Sequence, residues 1–175
     1  MIEAILVAFI IAIVNNINVI PVLTKIFMIP IYMASVLYIV IIVLEQLNIS
    51  KHSKYFTFSI LGLIVIPTMY CIFVYHLYFY ILIGFICSVV GMLLNQIVVR
   101  ANGNKMPMFL SLSKLTGSID LEELKVSQTH QLGDKNTKLK FLTDIIDLGY
   151  NVFSIGDVMI FSIFGIVMYG ILINI

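Results

Sequence analysis

Three short patterns hold most of the polar side chains able to do chemistry. Thr143-Asp144-Ile-Ile-Asp147 places two carboxylates three residues apart, which on a helix puts them on one face. Such a pair can share a proton for acid–base work or hold a divalent cation. It is equally an exposed acidic face, with Lys140 pairing Asp144 one turn away. Ser154-Ile-Gly-Asp157 has the form of a capping box, in which each side chain answers a free backbone N–H at a helix start. The same placement sets Asp157 at a membrane boundary, where functional carboxylates are common. Asn95-Gln96 leads into Arg100-Ala-Asn102-Gly103-Asn-Lys-Met-Pro107, a polar cluster able to bind a ligand. Asn102-Gly103 is also ordinary turn chemistry, and Asn95, one helical turn inside, needs a partner from another helix. His130 stands near Asp134, Asp144 and Asp147 in sequence, but no metal-ligand spacing such as H-x-x-x-H supports a metal site. No cofactor is expected, since phosphate-binding, Rossmann and nucleophile-elbow patterns are all missing.

These residues have to be positioned by an unusually apolar chain. Of 175 residues, 61% are hydrophobic and 11% charged, too little polar side chain to wet a globule of this size. The apolar residues fall in blocks, so lipid is the expected solvent. The pattern predicts an all-α, polytopic membrane helix bundle in one domain, with about five spans at 1–19, 31–47, 56–74, 79–99 and 158–175. The first block lacks the basic start and small-residue cleavage site of a signal peptide, and is expected to remain as a helix. Pro21 and Pro30 bracket an amphipathic connector, and Pro67 is tolerated as a kink. Gly84, Ser88 and Gly91 are small residues where another helix can approach closely.

The long polar segment, 100–157, holds seven of the ten basic residues: Arg100, Lys105, Lys114, Lys125, Lys135, Lys138 and Lys140. Two helices are predicted within it. One starts at Asp120, as cap, with Glu123 three residues on. The other runs from Asn136-Thr137 to Leu148, its Leu139, Leu142, Ile145 and Ile146 forming a stripe suited to the membrane interface. With five spans, this segment shares a side with the loop of Lys51 and Lys54, leaving Lys25 alone opposite. The positive-inside rule puts that side in the cytoplasm. Arg100 is expected to pair with Asp157, or failing that Asp144, because a lone charge near hydrocarbon is costly. Net charge is +1 with no basic stripe, so no nucleic-acid partner is expected. Cys71 and Cys87 lie in apolar runs, as packing residues.

In order along the chain, Asn95, Ala-Asn102-Gly103, Met106-Pro107, His130, Thr137-x-Leu139, Leu142-x-Asp144-Ile-Ile146 and Ser154-Ile-Gly-Asp157 resemble domain of unknown function 5317. This family comprises small bacterial integral membrane proteins. The resemblance implies a bacterial, multi-pass protein of the cytoplasmic membrane, and no activity. A second resemblance, to lipoprotein signal peptidases, rests on Thr-Asp144-Ile-Ile-Asp147 and Ile-Gly-Asp157. They look like a compressed form of the two aspartate segments of that intramembrane protease family. It implies a dyad of Asp157 with Asp144 or Asp147. The chain departs from that family in lacking its Asn and Asp-Arg motifs, in spacing, and in the side of the membrane.

Three functions follow as expectations. The first is a non-enzymatic structural, regulatory or complex-forming membrane subunit, with the bilayer and another membrane protein as partners. The second is an aspartate-dependent intramembrane hydrolase using Asp157 with Asp144 or Asp147. The third is a small-solute or lipid binder using Asn95, Arg100 and Asp157; Asn95, Arg100, Asn102, Gly103, His130, Thr137 and Ser154 form a polar cluster that is either ligand-binding or structural. Carboxylate geometry separates the first two: a dyad must converge, whereas a cap stays on its own helix.

Overall fold

The computed structural model describes residues 2–46, 53–119 and 121–174. The fold is mostly helical: α1 (Ile2–Val14), α2 (Ile20–Leu23), α3 (Met28–Gln46), α4 (Ser53–Val74), α5 (Tyr78–Ala101), α6 (Leu112–Thr116), α7 (Leu121–Val126) and α8 (Ile155–Asn174). Short strands β1 (Met106–Met108), β2 (His130–Leu132), β3 (Ile146–Asp147) and β4 (Val152–Phe153) interrupt the polar segment, so the chain is not purely α. Among the described residues, α5 and α8 are long and apolar enough to cross a membrane. The other apolar helical stretches are shorter: Ile2–Val14, Met28–Ile41 and Gly62–Val74. The five spans expected from sequence are thus two by this measure.

The first helix was expected through residue 19 and stops at Val14. Asn16 adopts a left-handed φ of 58°, while Ile17 N–H bonds Ala12 C=O at 2.9 Å and Asn16 N–H bonds Ile13 C=O at 3.0 Å. This is a Schellman motif, which satisfies the last carbonyls and turns the chain. His76 (φ 53°) ends α4 in the same way, with Leu77 N–H on Ile72 C=O. Gly103 (φ 72°) does so for α5, with Asn104 N–H on Val99 C=O. The connector bracketed by the two prolines contains α2, with Pro21 in its first turn, where the missing N–H is harmless.

The chain divides into two compact units, Met1–Ile86 with Phe161–Ile175, and Cys87–Ile160. The core of the first includes Ala8, Ala12, Met28, Ile64, Cys71 and Ile171. Its helices meet at small residues: a β-carbon on Gly165 would lie 2.6 Å from Ala4 O, too close to exist without a shift. On the outward faces Leu6, Ile10, Ile39, Ile66, Phe73 and Phe85 are exposed.

The second unit holds the polar residues. β1 and β2 pair in parallel with Met106 opposite His130, and β3–β4 form an antiparallel pair. The helix expected from Asn136 to Leu148 does not form. Leu139 is left-handed (φ 52°), Lys140–Leu142 is a single 3-10 turn, and Asp144 bridges Met108 on β1. Asp144 N–H bonds Pro107 C=O at 3.1 Å and its C=O takes Phe109 N–H at 2.8 Å. Those contacts replace the i→i−4 bonds a helix would have used. The other expected helix is present as α7; Asp120, read as its cap, lies outside the described residues, as do Lys51 and His52.

Candidate functional site

The site grows from three helix and strand ends in the second unit. At the start of α8, Ser154 and Asp157 form the capping box: Asp157 N–H bonds Ser154 Oγ at 2.9 Å, and Ser154 N–H bonds Asp157 Oδ2 at 2.9 Å. The box is cross-linked to α5. Asn95 Nδ2 donates to Asp157 Oδ1 at 2.8 Å, and Ser154 Oγ donates to Asn95 Oδ1 at 2.9 Å. Each oxygen of that carboxylate thereby accepts one hydrogen bond. The crossing is possible because both helices carry glycine there. A β-carbon on Gly156 would overlap the Asn95 side chain and lie 2.7 Å from Gly91 O, and one on Gly91 would overlap Gly156 O.

Asp147 does not share a face with Asp144, because no helix joins them. Its Oδ2 accepts N–H groups from Ser111 (2.6 Å) and Ser113 (3.0 Å) and the Ser113 hydroxyl (2.8 Å). Its Oδ1 accepts Gly149 N–H at 2.9 Å. Burial raises its pKa, but the N–H donors of Ser111, Ser113 and Gly149 more than reverse this and hold it well below the usual carboxylate range. A carboxylate so bound fastens α6 to the β3–β4 turn and stays ionised.

Asp144 is the contrasting case. It is 3% exposed, and its Oδ1 has no hydrogen-bond partner among the described residues. Its Oδ2 lies 3.7 Å from His130 Nε2, a contact too long for a hydrogen bond. Burial pushes its pKa to about 7, and the negative charge of Asp157 adds to the rise. His130 moves the other way: burial lowers its pKa, partly opposed by the Asp157 charge. Both environments therefore favour the neutral forms, a carboxylic acid beside an imidazole. His130 Nδ1 shares a hydrogen bond with Thr129 Oγ1 at 2.8 Å, and its side chain is 41% exposed. The imidazole thus stands between solvent and an enclosed carboxyl, at a separation that must close to hydrogen-bond reach before a proton could pass between them.

The remaining expected site residues are structural in their contacts. Asn102 Nδ2 donates to Val98 O (2.9 Å) and Lys138 O (3.0 Å), while its Oδ1 takes Lys138 N–H at 2.9 Å. Gly103 supplies the left-handed residue that ends α5. Thr137 Oγ1 accepts Asp134 N–H at 2.9 Å and closes a turn. Arg100 is exposed at the end of α5 and forms an ion pair with neither Asp157 nor Asp144. Asn95 fills the place on Asp157 that the arginine was expected to take. Lys140 likewise misses Asp144; its ammonium lies 4.5 Å from the centre of the Phe109 ring. Among the described residues, no three His, Cys, Asp or Glu side chains converge as a metal would need.

Residues 23–171 match the family of unknown function DUF5317. The chain belongs to this family. The match spans every element of the site, from Asn95 on α5 to Asp157 on α8. No curated protein and no solved structure matches the chain.

Several residues that build the site carried no functional signal in sequence. Ser111 and Ser113 meet Asp147 across more than thirty residues, a separation no local pattern spans. Gly156 was visible only as a spacer in Ser154-Ile-Gly-Asp157. A capping box does not need glycine there, and that surplus was the available hint of a close helix approach.

Proposed function

We propose that this chain is a multi-pass membrane protein acting as a non-enzymatic structural, regulatory or complex-forming subunit. Its 100–157 segment is a polar segment held at one membrane face. The observation that carries the reading is the fate of Asp157. Its carboxylate is occupied by Ser154 N–H and Asn95 Nδ2, so it locks α8 to α5 and is not held free to activate water. Asp147 is equally committed to backbone N–H groups. Membrane placement is supported by α5 and α8 and by the exposed apolar faces of the shorter helices, far more than a soluble monomer leaves uncovered. Seven of the ten Lys and Arg residues fall in 100–157, which supports this face as the cytoplasmic side of the membrane; the bacterial source in this reading rests on the family resemblance.

One observation favours a second reading. Asp144, with an unfilled buried oxygen beside His130, has the properties of a general acid–base pair working near neutral pH. On this reading the hydrolase or solute-binding site is centred on Asp144 and His130, with Asp157 as its electrostatic neighbour. The two readings separate in a deletion strain with a measurable phenotype. The subunit reading expects folded Asp144→Asn to restore the phenotype fully, and the wild-type protein to stay in the membrane pellet after carbonate extraction. A folded, membrane-inserted Asp144→Asn protein that restores nothing overturns it in favour of acid–base chemistry.

A further inference from the structure

We propose that the Lys138-Leu139-Lys140-Phe141 turn is a docking element for the surface of an anionic phospholipid bilayer; this rests on the membrane reading above.

Its place is set by α5. That helix is of membrane length and ends at Ala101, and the next residue, Asn102, holds Lys138 through both its N–H (2.9 Å) and its C=O (3.0 Å). The turn is therefore clamped within one residue of the end of a helix of membrane length. Its far end is fixed as well, since Thr143 is buried and Asp144 is bonded to β1. Between these anchors Leu139 is forced into a left-handed conformation (φ 52°), which a γ-branched residue without a special reason avoids. The conformation leaves Phe141 61% exposed and Leu139 38% exposed. Two outward apolar side chains alternating with lysines are costly in water and suited to the headgroup–acyl boundary. There the apolar groups enter lipid while the Lys138 ammonium reaches the phosphates, Lys140 being stacked on Phe109.

Charge supports an anionic lipid. From Arg100 to Ile119 the sequence contains Arg100, Lys105 and Lys114 and no acidic residue, and 135–141 adds Lys135, Lys138 and Lys140. Arg100 is exposed on the last turn of α5, two residues before Asn102, which holds Lys138. Each basic residue near an anionic leaflet favours docking by on the order of fivefold.

The chain contains no tryptophan, so Phe141→Trp introduces a unique fluorophore at an exposed position. The full-length protein is placed in nanodiscs of phosphatidylcholine, with or without phosphatidylglycerol, carrying lipids brominated near the headgroup end of the acyl chains. Phe85→Trp, on the exposed face of the body of α5, serves as the control. The expected result is blue-shifted emission from Phe141→Trp, quenched by the brominated lipids more strongly with phosphatidylglycerol. Adding Arg100→Gln and Lys138→Gln should remove that advantage. Solvent-like, unquenched emission from Phe141→Trp while the Phe85→Trp control is quenched overturns the docking inference and leaves the membrane reading standing. Equal quenching with and without phosphatidylglycerol overturns the anionic preference. Failure of the control to be quenched overturns the membrane reading, and the inference with it.

Discussion

Replacing Asp144 with asparagine should change the pH dependence of stability more than the stability at any one pH. In the folded chain the carboxyl is raised from 3.8 to about 7 by burial, with Asp157 adding to the rise. Between those values the folded state holds a proton that the unfolded state has released. The stabilising contribution is therefore fully present below about pH 4 and is lost as pH rises through about 7. Each pH unit in that range is worth about 1.4 kcal/mol. From pH 5 to 8.5 the wild-type protein crosses about two such units, a loss of about 3 kcal/mol, or about 6–12 °C in melting temperature for a chain of this size. His130 contributes with the opposite sign. Its pKa is lowered in the folded state, so it favours folding as pH rises past the imidazole range. That term is present in both proteins and has the opposite sign to the Asp144 term, so the difference between them is set chiefly by Asp144. Asparagine brings an amide that also lacks a partner, a cost of about 1–3 kcal/mol that does not vary with pH. The assay is thermal unfolding in detergent followed with a thiol-reactive dye, because Cys71 is fully buried until the fold opens. Expected is a melting-temperature difference, variant minus wild type, that moves in the variant's favour by several degrees from pH 5 to 8.5. Parallel curves would mean that Asp144 is not held neutral by its surroundings, and the acid–base reading would lose its physical basis.

Gly156→Ala should cost about 1–3 kcal/mol, because its methyl overlaps the Asn95 side chain at the α5–α8 crossing; thermal unfolding measures this. Gly103→Ala meets nothing within 4 Å and should lose only the left-handed backbone preference, about 1–2 kcal/mol. Asp157→Asn should destabilise by about 1–3 kcal/mol, since an amide cannot accept from both Asn95 Nδ2 and Ser154 N–H; equal melting temperatures would contradict the cross-linked cap. Asp147→Ala should leave α5 and α8 intact while the α6 region becomes about tenfold more sensitive to limited proteolysis, as three backbone donors lose their acceptor. Lys125→Cys, with both native cysteines replaced by alanine, should resist an impermeant thiol reagent in intact cells; labelling from outside would reverse the proposed orientation.

The elements legible in sequence are those specified by neighbouring residues. Apolar runs bounded by polar ends mark α3, α4, α5 and α8, because a helix satisfies its own backbone within the run. The Ser154–Asp157 cap and the Asn102–Gly103 turn were equally readable, since their bonds span four residues or fewer or require a particular φ. The need of Asn95 for an interhelical partner was also visible, though not which partner. The segment from Asn136 to Leu148 was misread because Leu139, Leu142, Ile145 and Ile146 recur at helical spacing. Tertiary structure overrode that period by giving the backbone of Asp144 to Pro107 and Phe109. The same rearrangement separated two aspartates that looked equivalent. Asp147 met the N–H groups of Ser111 and Ser113 and became a fixed anion, whereas Asp144 was buried beside His130 with one oxygen unmet. A residue's type is local, but its proton affinity follows from the burial, donors and charges around it. For these two aspartates, only the long-range fold supplied those surroundings.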